Sequence, residues 1–465
     1  MKPAPPSDPS PAAPPSPAPT ASVPVAPTGR VRAIQRTALG MLVLAGVVNY
    51  VDRATLSVAN PAVRADLGLS VREMGWLLSA FLWAYAFAQL PAGALVDRLG
   101  PRRLLGAGLA VWSAAQGLAG LVRGFGQFYA ARLLLGLGEA PQFPTGARVA
   151  RDWFSARHRG FATGVFNCAS SLGTAISMPL LTFLMLWVGW RGMFMLMGAA
   201  GLAVAILWYA VYRDPGQCGL TAEEDAYRHD GDPPDRTARL GFAEWRALFR
   251  YRTTWGMIGG YFGTIYLTWV YTAWLPGYLE IERHMSVRGT GFAAAVPFAC
   301  GVVGRLFGGW FADWLMRRGV APMASRQWPA AAALVGTAAC TVAAALVASN
   351  VLAIAFISAA LFLVYVTSTC AWALSSVAVP TNCTASIGAM QNFGGYLGGA
   401  LAPTVTGEIL ARTGSFTGAL VAGAAIGVVS ALSYLLVVDR AVTADDMAAA
   451  LARPAPAIGR TGRSR

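Results

Sequence analysis

The sequence predicts an all-α polytopic membrane protein with twelve transmembrane helices in two six-helix pseudo-symmetric halves. Three observations carry that expectation. Hydrophobic residues make up 55% of the chain and charged residues only 12%, about half the charged share of an ordinary soluble domain. Apolar runs of about 20 residues, the length that crosses a bilayer, recur from residue 37 to residue 438. The basic residues collect in alternate gaps between those runs.

The elements follow in chain order. Residues 1–36 are a Pro/Ala-rich tail that cannot bury a core, so disorder on the cytoplasmic side is expected. Arg30, Arg32 and Arg36 directly precede the first apolar run, which is not the layout of a signal peptide. Runs at 37–59, 74–96, 104–122, 126–147, 160–183 and 192–212 form the N-terminal half, 37–212. The longest hydrophilic interruption, 213–252, reads as a cytoplasmic loop. Runs at 253–279, 289–312, 328–348, 351–374, 385–410 and 416–438 form the C-terminal half, 253–440. Residues 441–465 are a second cytoplasmic tail.

Charge placement orients this scheme. With the N-terminus inside, the cytoplasmic segments hold 26 of the 36 Lys+Arg and the outer loops hold seven. Arg53, Arg132 and Arg305 remain within the membrane. The bias matches the positive-inside rule and predicts a multi-pass protein of the plasma membrane (a bacterial inner membrane) with both termini cytoplasmic. The net charge of +14 is then a matter of topology, and no nucleic-acid partner is expected.

Composition also excludes chemistries. Lys2 is the single lysine, so a Walker P-loop and a lysine Schiff base have no residue to use. The six cysteines form no CxxC pair and read as small buried hydrophobes. His158, His229 and His284 lack metal-ligand spacing. Gly136-Leu-Gly138 breaks off at Pro141 and is no dinucleotide loop. No enzyme activity, cofactor or metal is expected. Asn382-Cys-Thr fits a glycosylation acceptor, but it falls on the expected cytoplasmic side.

The two halves repeat a motif. Gly93-x-x-x-Asp97 with Arg102-Arg103 follows the second span, and Gly309-x-x-x-Asp313 with Arg317-Arg318 follows the eighth. Two six-helix repeats with one motif in equivalent loops point to a secondary transporter. The segment Gly93-Ala-Leu-Val-Asp97-Arg98-Leu-Gly100-Pro-Arg102-Arg103 resembles the signature loop of the major facilitator superfamily. Asn49-Tyr50-Val-Asp52-Arg53, Arg132-(x6)-Glu139, Gly189-Trp190-Arg191, Trp274-Leu-Pro276-x-Tyr278 and Gln391-Asn392-Phe393-Gly394-Gly395 are similar to the organic anion:cation symporter branch. That branch includes permeases for hexonates, hexuronates and hexarates. The resemblance implies a proton-coupled importer of an organic anion working by alternating access, with a sugar acid as the leading substrate. Aromatic and dicarboxylic acids stay open, as does sodium in place of the proton. A transporter-like sensor of an external acid is the competing class. The expected partners are the anion, the co-transported proton and membrane lipids, and a monomer is expected.

Four charges carry the expected chemistry. A charge near the bilayer centre costs about 2.5–3.5 kcal/mol even on lenient scales, so Asp52, Arg53, Arg132 and Glu139 should face the bundle interior. Arg53 is the expected carboxylate ligand, because a guanidinium fork matches a carboxylate with two hydrogen bonds. Arg132 would assist it or pair with Glu139. Glu139 is the first candidate for proton coupling; Asp52 is the second, or mainly orients Arg53. Tyr85, Asn167, Ser171, Ser376 and Asn392 are candidate hydroxyl-binding residues. Gly93, Asp97, Arg98, Gly100, Arg102, Arg103, Gly309 and Asp313 are candidate cytoplasmic gate residues. Arg305 is expected to snorkel or to meet the signature loop. Part of the Tyr266, Trp269, Tyr271 and Trp274 cluster is expected to form an interface belt, and one face of it to close over the ligand.

Overall fold

We describe the protein from a computed structural model covering residues 26–155, 158–230, 242–380 and 383–452. Most of the Pro-rich tail, Arg157, Asn382 and the side chain of Ser171 lie outside the described residues.

The described chain is helical throughout. The N-terminal half holds α1 (Gly29–Leu67), α2 (Val71–Leu99), α3 (Pro101–Ala119), α4 (Phe125–Glu139), α5 (Gln142–Trp153) and α6 (Arg159–Val211). Two short helices follow, α7 (Ala222–His229) and α8 (Phe242–Leu248). The C-terminal half holds α9 (Arg252–Ile281), α10 (Val287–Arg317), α11 (Ala324–Leu346), α12 (Asn350–Ser375), α13 (Thr384–Thr413) and α14 (Phe416–Leu432), with α15 (Ala444–Ala452) behind them. Each of the twelve predicted runs coincides with helix. Among the described residues, six helices are long and apolar enough to cross a membrane, or seven if α2, bent by 52° after Gln89, counts as one span.

The boundaries have local causes. Helix α1 starts at Gly29, ahead of the expected 37, because the Thr28 side chain caps it by accepting from the Val31 N–H. It ends at Gly68 in the left-handed region, φ 64°, where glycine meets no Cβ penalty. Ser70 and Glu73 then close a capping box that starts α2. The fourth predicted run is two helices, since Pro141 offers no N–H to continue the ladder. The fifth and sixth runs are merged in α6 and separated only by Gly189 at φ 72°. Next to that break, Arg191 donates to the Val122 carbonyl at 2.8 Å and meets Asp66 at 2.9 Å, which ties the start of the sixth span to α1 and α3.

Small residues set the approach of the helices, as membrane interfaces require. A Cβ at Gly138 would stand 2.7 Å from the Trp112 amide nitrogen, and one at Gly108 would lie against the Gly138 carbonyl. The Gly136-Leu-Gly138 pair is therefore a packing notch that brings the end of α4 onto α2 and α3. In the other half, Gly394, Gly395, Gly398 and Gly399 of α13 lie against Ile258, Tyr261, Phe262 and Trp269 of α9.

The halves meet along α2–α13, α6–α10 and α1–α9. Their closest contacts lie at the end remote from the termini. There Ser57 donates to the Ala273 carbonyl at 2.8 Å, Thr404 donates to Ser79 at 2.7 Å, and Arg72 meets Glu408 at 2.6 Å. Gly75 faces Pro403 and Gly407 backbone to backbone; a Cβ on Gly75 would sit 2.8 Å from the Pro403 carbonyl oxygen. Asn60 packs on Gly277. This seam seals one end of the molecule.

Candidate functional site

The four buried charges come together in the N-terminal half. Asp52 and Glu139 have no exposed surface, Arg132 is 1% exposed and Arg53 is 5% exposed. Glu139 is the last residue of α4, just ahead of the Pro141 interruption, and the glycine notch presses it inward. Its Oε2 accepts from Arg53 Nε at 2.8 Å. The Arg53 guanidinium also stands over three rings, with Cζ 4.8, 5.1 and 4.7 Å from the centroids of Tyr50, Phe81 and Tyr85. Such a cup holds a cation by its ring quadrupoles.

The pairing differs from the expected one. Arg132 does not hold Glu139; its Nε and Nη1 are enclosed without a hydrogen-bond partner, and its Cζ lies 5.5 Å from the Phe81 centroid. Seven residues separate Arg132 from Glu139, about 10 Å of helix rise, so a shared face does not bring them into contact. Asp52 does not orient Arg53 either. Among the described residues, both of its carboxylate oxygens are buried without a close hydrogen-bond partner, in electrostatic reach of Arg132 and Glu139 and beside Trp112. Residues 52 and 53 are about 100° apart around the helix, so they serve different neighbours. The result is one closed ion pair, Arg53–Glu139, and one open pair of unpartnered groups, Asp52 and Arg132.

Other candidates divide into two sets. The Tyr85 hydroxyl is buried without a partner, and its ring lies 4.8 Å from that of Tyr396 across the inter-half boundary. Asn392 donates to Gln89 at 3.3 Å across the same boundary. Both residues contact the opposite half, and Tyr85 also adjoins Arg53. Asn167 is exposed and makes no side-chain hydrogen bond. Ser376 is exposed at the end of α12, where its hydroxyl donates to the Ala373 carbonyl at 2.7 Å. Among the described residues, neither hydrogen-bonds to the four charges.

The tyrosines that the C-terminal half brings to this region were not foreseen. Trp372 donates to the Tyr261 hydroxyl at 2.8 Å, and that hydroxyl lies 3.4 Å from Ser368. Tyr261, Tyr365 and Tyr396 sit near Tyr50 and Arg305. Tyrosines inside apolar runs carry no spacing signal, so only the tertiary arrangement collects them. The aromatic cluster on α9 is largely packing and not a lipid belt: Tyr266 and Trp274 are each 1% exposed, and Tyr271 bonds Thr341 at 2.7 Å.

The motif residues near the termini form two unequal networks. Asp97 meets Arg148 at 2.5 Å and Arg151 at 3.8 Å, and Arg148 also holds Asp152 at 2.9 Å. Arg102 donates to the Tyr209 carbonyl at 2.9 Å and caps the Tyr209 ring. Gly100 takes φ 80° where Asp214 approaches it. Arg98 and Arg103 are exposed. Gly93 has open space around it and Gly309 has only Thr369 within reach. Asp313 reaches Arg326 at 4.0 Å.

Comparison with known proteins agrees with this architecture. The family model described as Major Facilitator Superfamily matches residues 42–403. The chain is 44% identical over 413 residues to a probable L-galactonate transporter of Escherichia coli (strain K12), covering 89% of this chain and 91% of that one. It is 33% identical over 415 residues to a probable galactarate/D-glucarate transporter of the same strain, covering 86% and 92%. A solved bacterial homologue of the human lysosomal transporter Spinster superposes with a TM-score of 0.72 at 18% identity, covering 87% of this chain and 97% of the other. The chain is therefore a multi-pass membrane transporter, not an enzyme, and belongs to the major facilitator superfamily.

Proposed function

We propose that this transporter imports an organic anion, a sugar acid of the hexonate or hexarate kind, by proton symport through alternating access. The names of the relatives support the substrate class. The observation that carries the mechanism is the unequal state of the two buried acid–base pairs around Arg53. Glu139 occupies the guanidinium that a substrate carboxylate would need, while Asp52 is enclosed with no partner.

The cycle follows from that competition. A carboxylate buried without a partner is costly, and a proton turns it neutral. A proton on Glu139 likewise ends its claim on Arg53 and leaves the fork free for a substrate carboxylate. Proton and anion then load together, since each makes room for the other. When the site faces the side of lower proton concentration, Glu139 loses its proton, retakes Arg53 and expels the anion. In the proposed cycle the seam at Ser57–Ala273, Ser79–Thr404 and Arg72–Glu408 closes the side remote from the termini while the anion leaves on the other. The charge bias supports the termini being cytoplasmic, which makes this the releasing state of an importer. Asp97 with Arg148 and Arg151, and Asp313 with Arg326, would regulate opening at the cytoplasmic end.

Uptake into proteoliposomes tests the reading. Under an inward proton gradient, a sugar acid should accumulate and a protonophore should abolish the accumulation. Accumulation that follows an imposed sodium gradient instead would refute proton symport.

A further inference from the structure

Of the two intramembrane arginines to which the cycle above gives no role, Arg132 is almost fully enclosed and Arg305 is half-buried. Arg305 lies on α10, one helical turn after Gly301. The Tyr365 ring of α12 fills the notch that Gly301 leaves. The Arg305 guanidinium covers the same ring, with Cζ 4.4 Å from its centroid. The side chain is thus folded onto the Tyr365 ring of α12, and among the described residues Asp313 pairs with Arg326 instead.

Its neighbours face the inter-half space. Arg305 is in electrostatic reach of the hydroxyls of Tyr50 on α1 and Tyr261 on α9. The Tyr50 ring in turn lies 4.8 Å from Arg53 Cζ. One tyrosine therefore stands near two guanidinium groups, one from each half. Their availability differs. Arg53 is engaged by Glu139 and almost fully enclosed. Arg305 is half-buried and, among the described residues, has no carboxylate or side-chain hydrogen-bond partner. A cation held this deep is costly, and a single ring face offsets only part of that cost. Of the two guanidinium groups, Arg305 is therefore the one no carboxylate engages in this conformation, among the described residues.

We propose that Arg305 is the anion contact of the C-terminal half, taking the substrate carboxylate on the termini side while Glu139 occupies Arg53. The proposal rests on the sugar-acid reading of the same site and adds a second station to it. It predicts a sided effect, because the two guanidinium groups would serve opposite stages of the cycle.

The test is counterflow exchange of L-galactonate and galactarate in proteoliposomes of defined protein orientation, with half-saturation measured from each face. Arg305→Gln should raise the half-saturating concentration from the termini side by about tenfold or more, the loss of a charge-assisted hydrogen bond. From the opposite face it should change far less. Arg305→Lys should recover part of the loss. Unchanged half-saturation from both faces in Arg305→Gln would overturn the assignment and leave the sugar-acid reading intact. Equal loss from both faces without rescue by Arg305→Lys would mark a packing role and overturn it too. No exchange of either acid by the unsubstituted protein would remove the underlying reading, and the assignment with it.

Discussion

The two halves share a fold and a motif, yet they present different chemistry to the space between them. The N-terminal half encloses Asp52, Arg53, Arg132 and Glu139 with almost no exposed surface. The C-terminal half offers one half-buried arginine and a polar aromatic wall of Tyr261, Tyr365, Trp372 and Tyr396. Near the termini the contrast repeats: Asp97 is held by Arg148 at 2.5 Å, whereas Asp313 reaches Arg326 only at 4.0 Å. Pseudo-symmetry of the backbone therefore does not imply symmetry of work. Four dry charges suit proton coupling, because their energies change steeply with one proton. Hydroxyls, an indole N–H and an accessible guanidinium suit recognition of a hydroxylated anion.

The contrast can be broken or sharpened by substitution, and the largest effect is expected at Arg53. Arg53→Lys keeps the charge but loses the fork. Uptake should fall by about tenfold to a hundredfold, the scale of one or two charge-assisted hydrogen bonds. Normal uptake in that variant would remove Arg53 from the anion site. Asp52→Asn comes next: uphill accumulation should be lost while the protein stays folded, since an amide of the same shape keeps an oxygen facing Trp112. Proton-driven accumulation at the wild-type level would exclude Asp52 from coupling.

A smaller and different change is expected in the other half. Tyr261→Phe removes the acceptor for the Trp372 N–H. The half-saturating concentration should rise about threefold to tenfold, the scale of one neutral hydrogen bond, and dependence on the proton gradient should persist. Loss of coupling in Tyr261→Phe would contradict the division between halves. The smallest effects belong to the motif loops, because exposed ion pairs contribute only about 0–1 kcal/mol. Asp97→Asn should slow transport by a fewfold at most, and Asp313→Asn by less. The reverse order, read from initial rates, would argue against the distances as a guide to function.

Much of this arrangement was legible in the residues themselves. Twelve apolar runs announce twelve helical stretches, and charges inside such runs stand out by their cost. That is why Asp52, Arg53, Arg132 and Glu139 could be picked out. Their pairing could not be. Equal spacing on α4 suggested Arg132 and Glu139 as partners, but the partner of Glu139 comes from α1 through a close approach set by Gly136 and Gly138. Merged or broken helices were hidden for a similar reason. Gly189 and Pro141 act on single backbone positions, which hydropathy over a long window averages away. Arg305 was seen, but its contact with Tyr365 was not, since the notch at Gly301 that seats this ring exists only between helices. Asn167 and Ser376 were chosen for polarity, and both side chains are exposed in the structure.

The central claim is that Glu139 couples the proton to the anion by competing for Arg53. Parallel assays of Glu139→Gln test it most directly, one measuring counterflow of a sugar acid and the other its accumulation under an inward proton gradient. The account predicts retained counterflow and no accumulation. Accumulation that still follows the proton gradient in Glu139→Gln would contradict it.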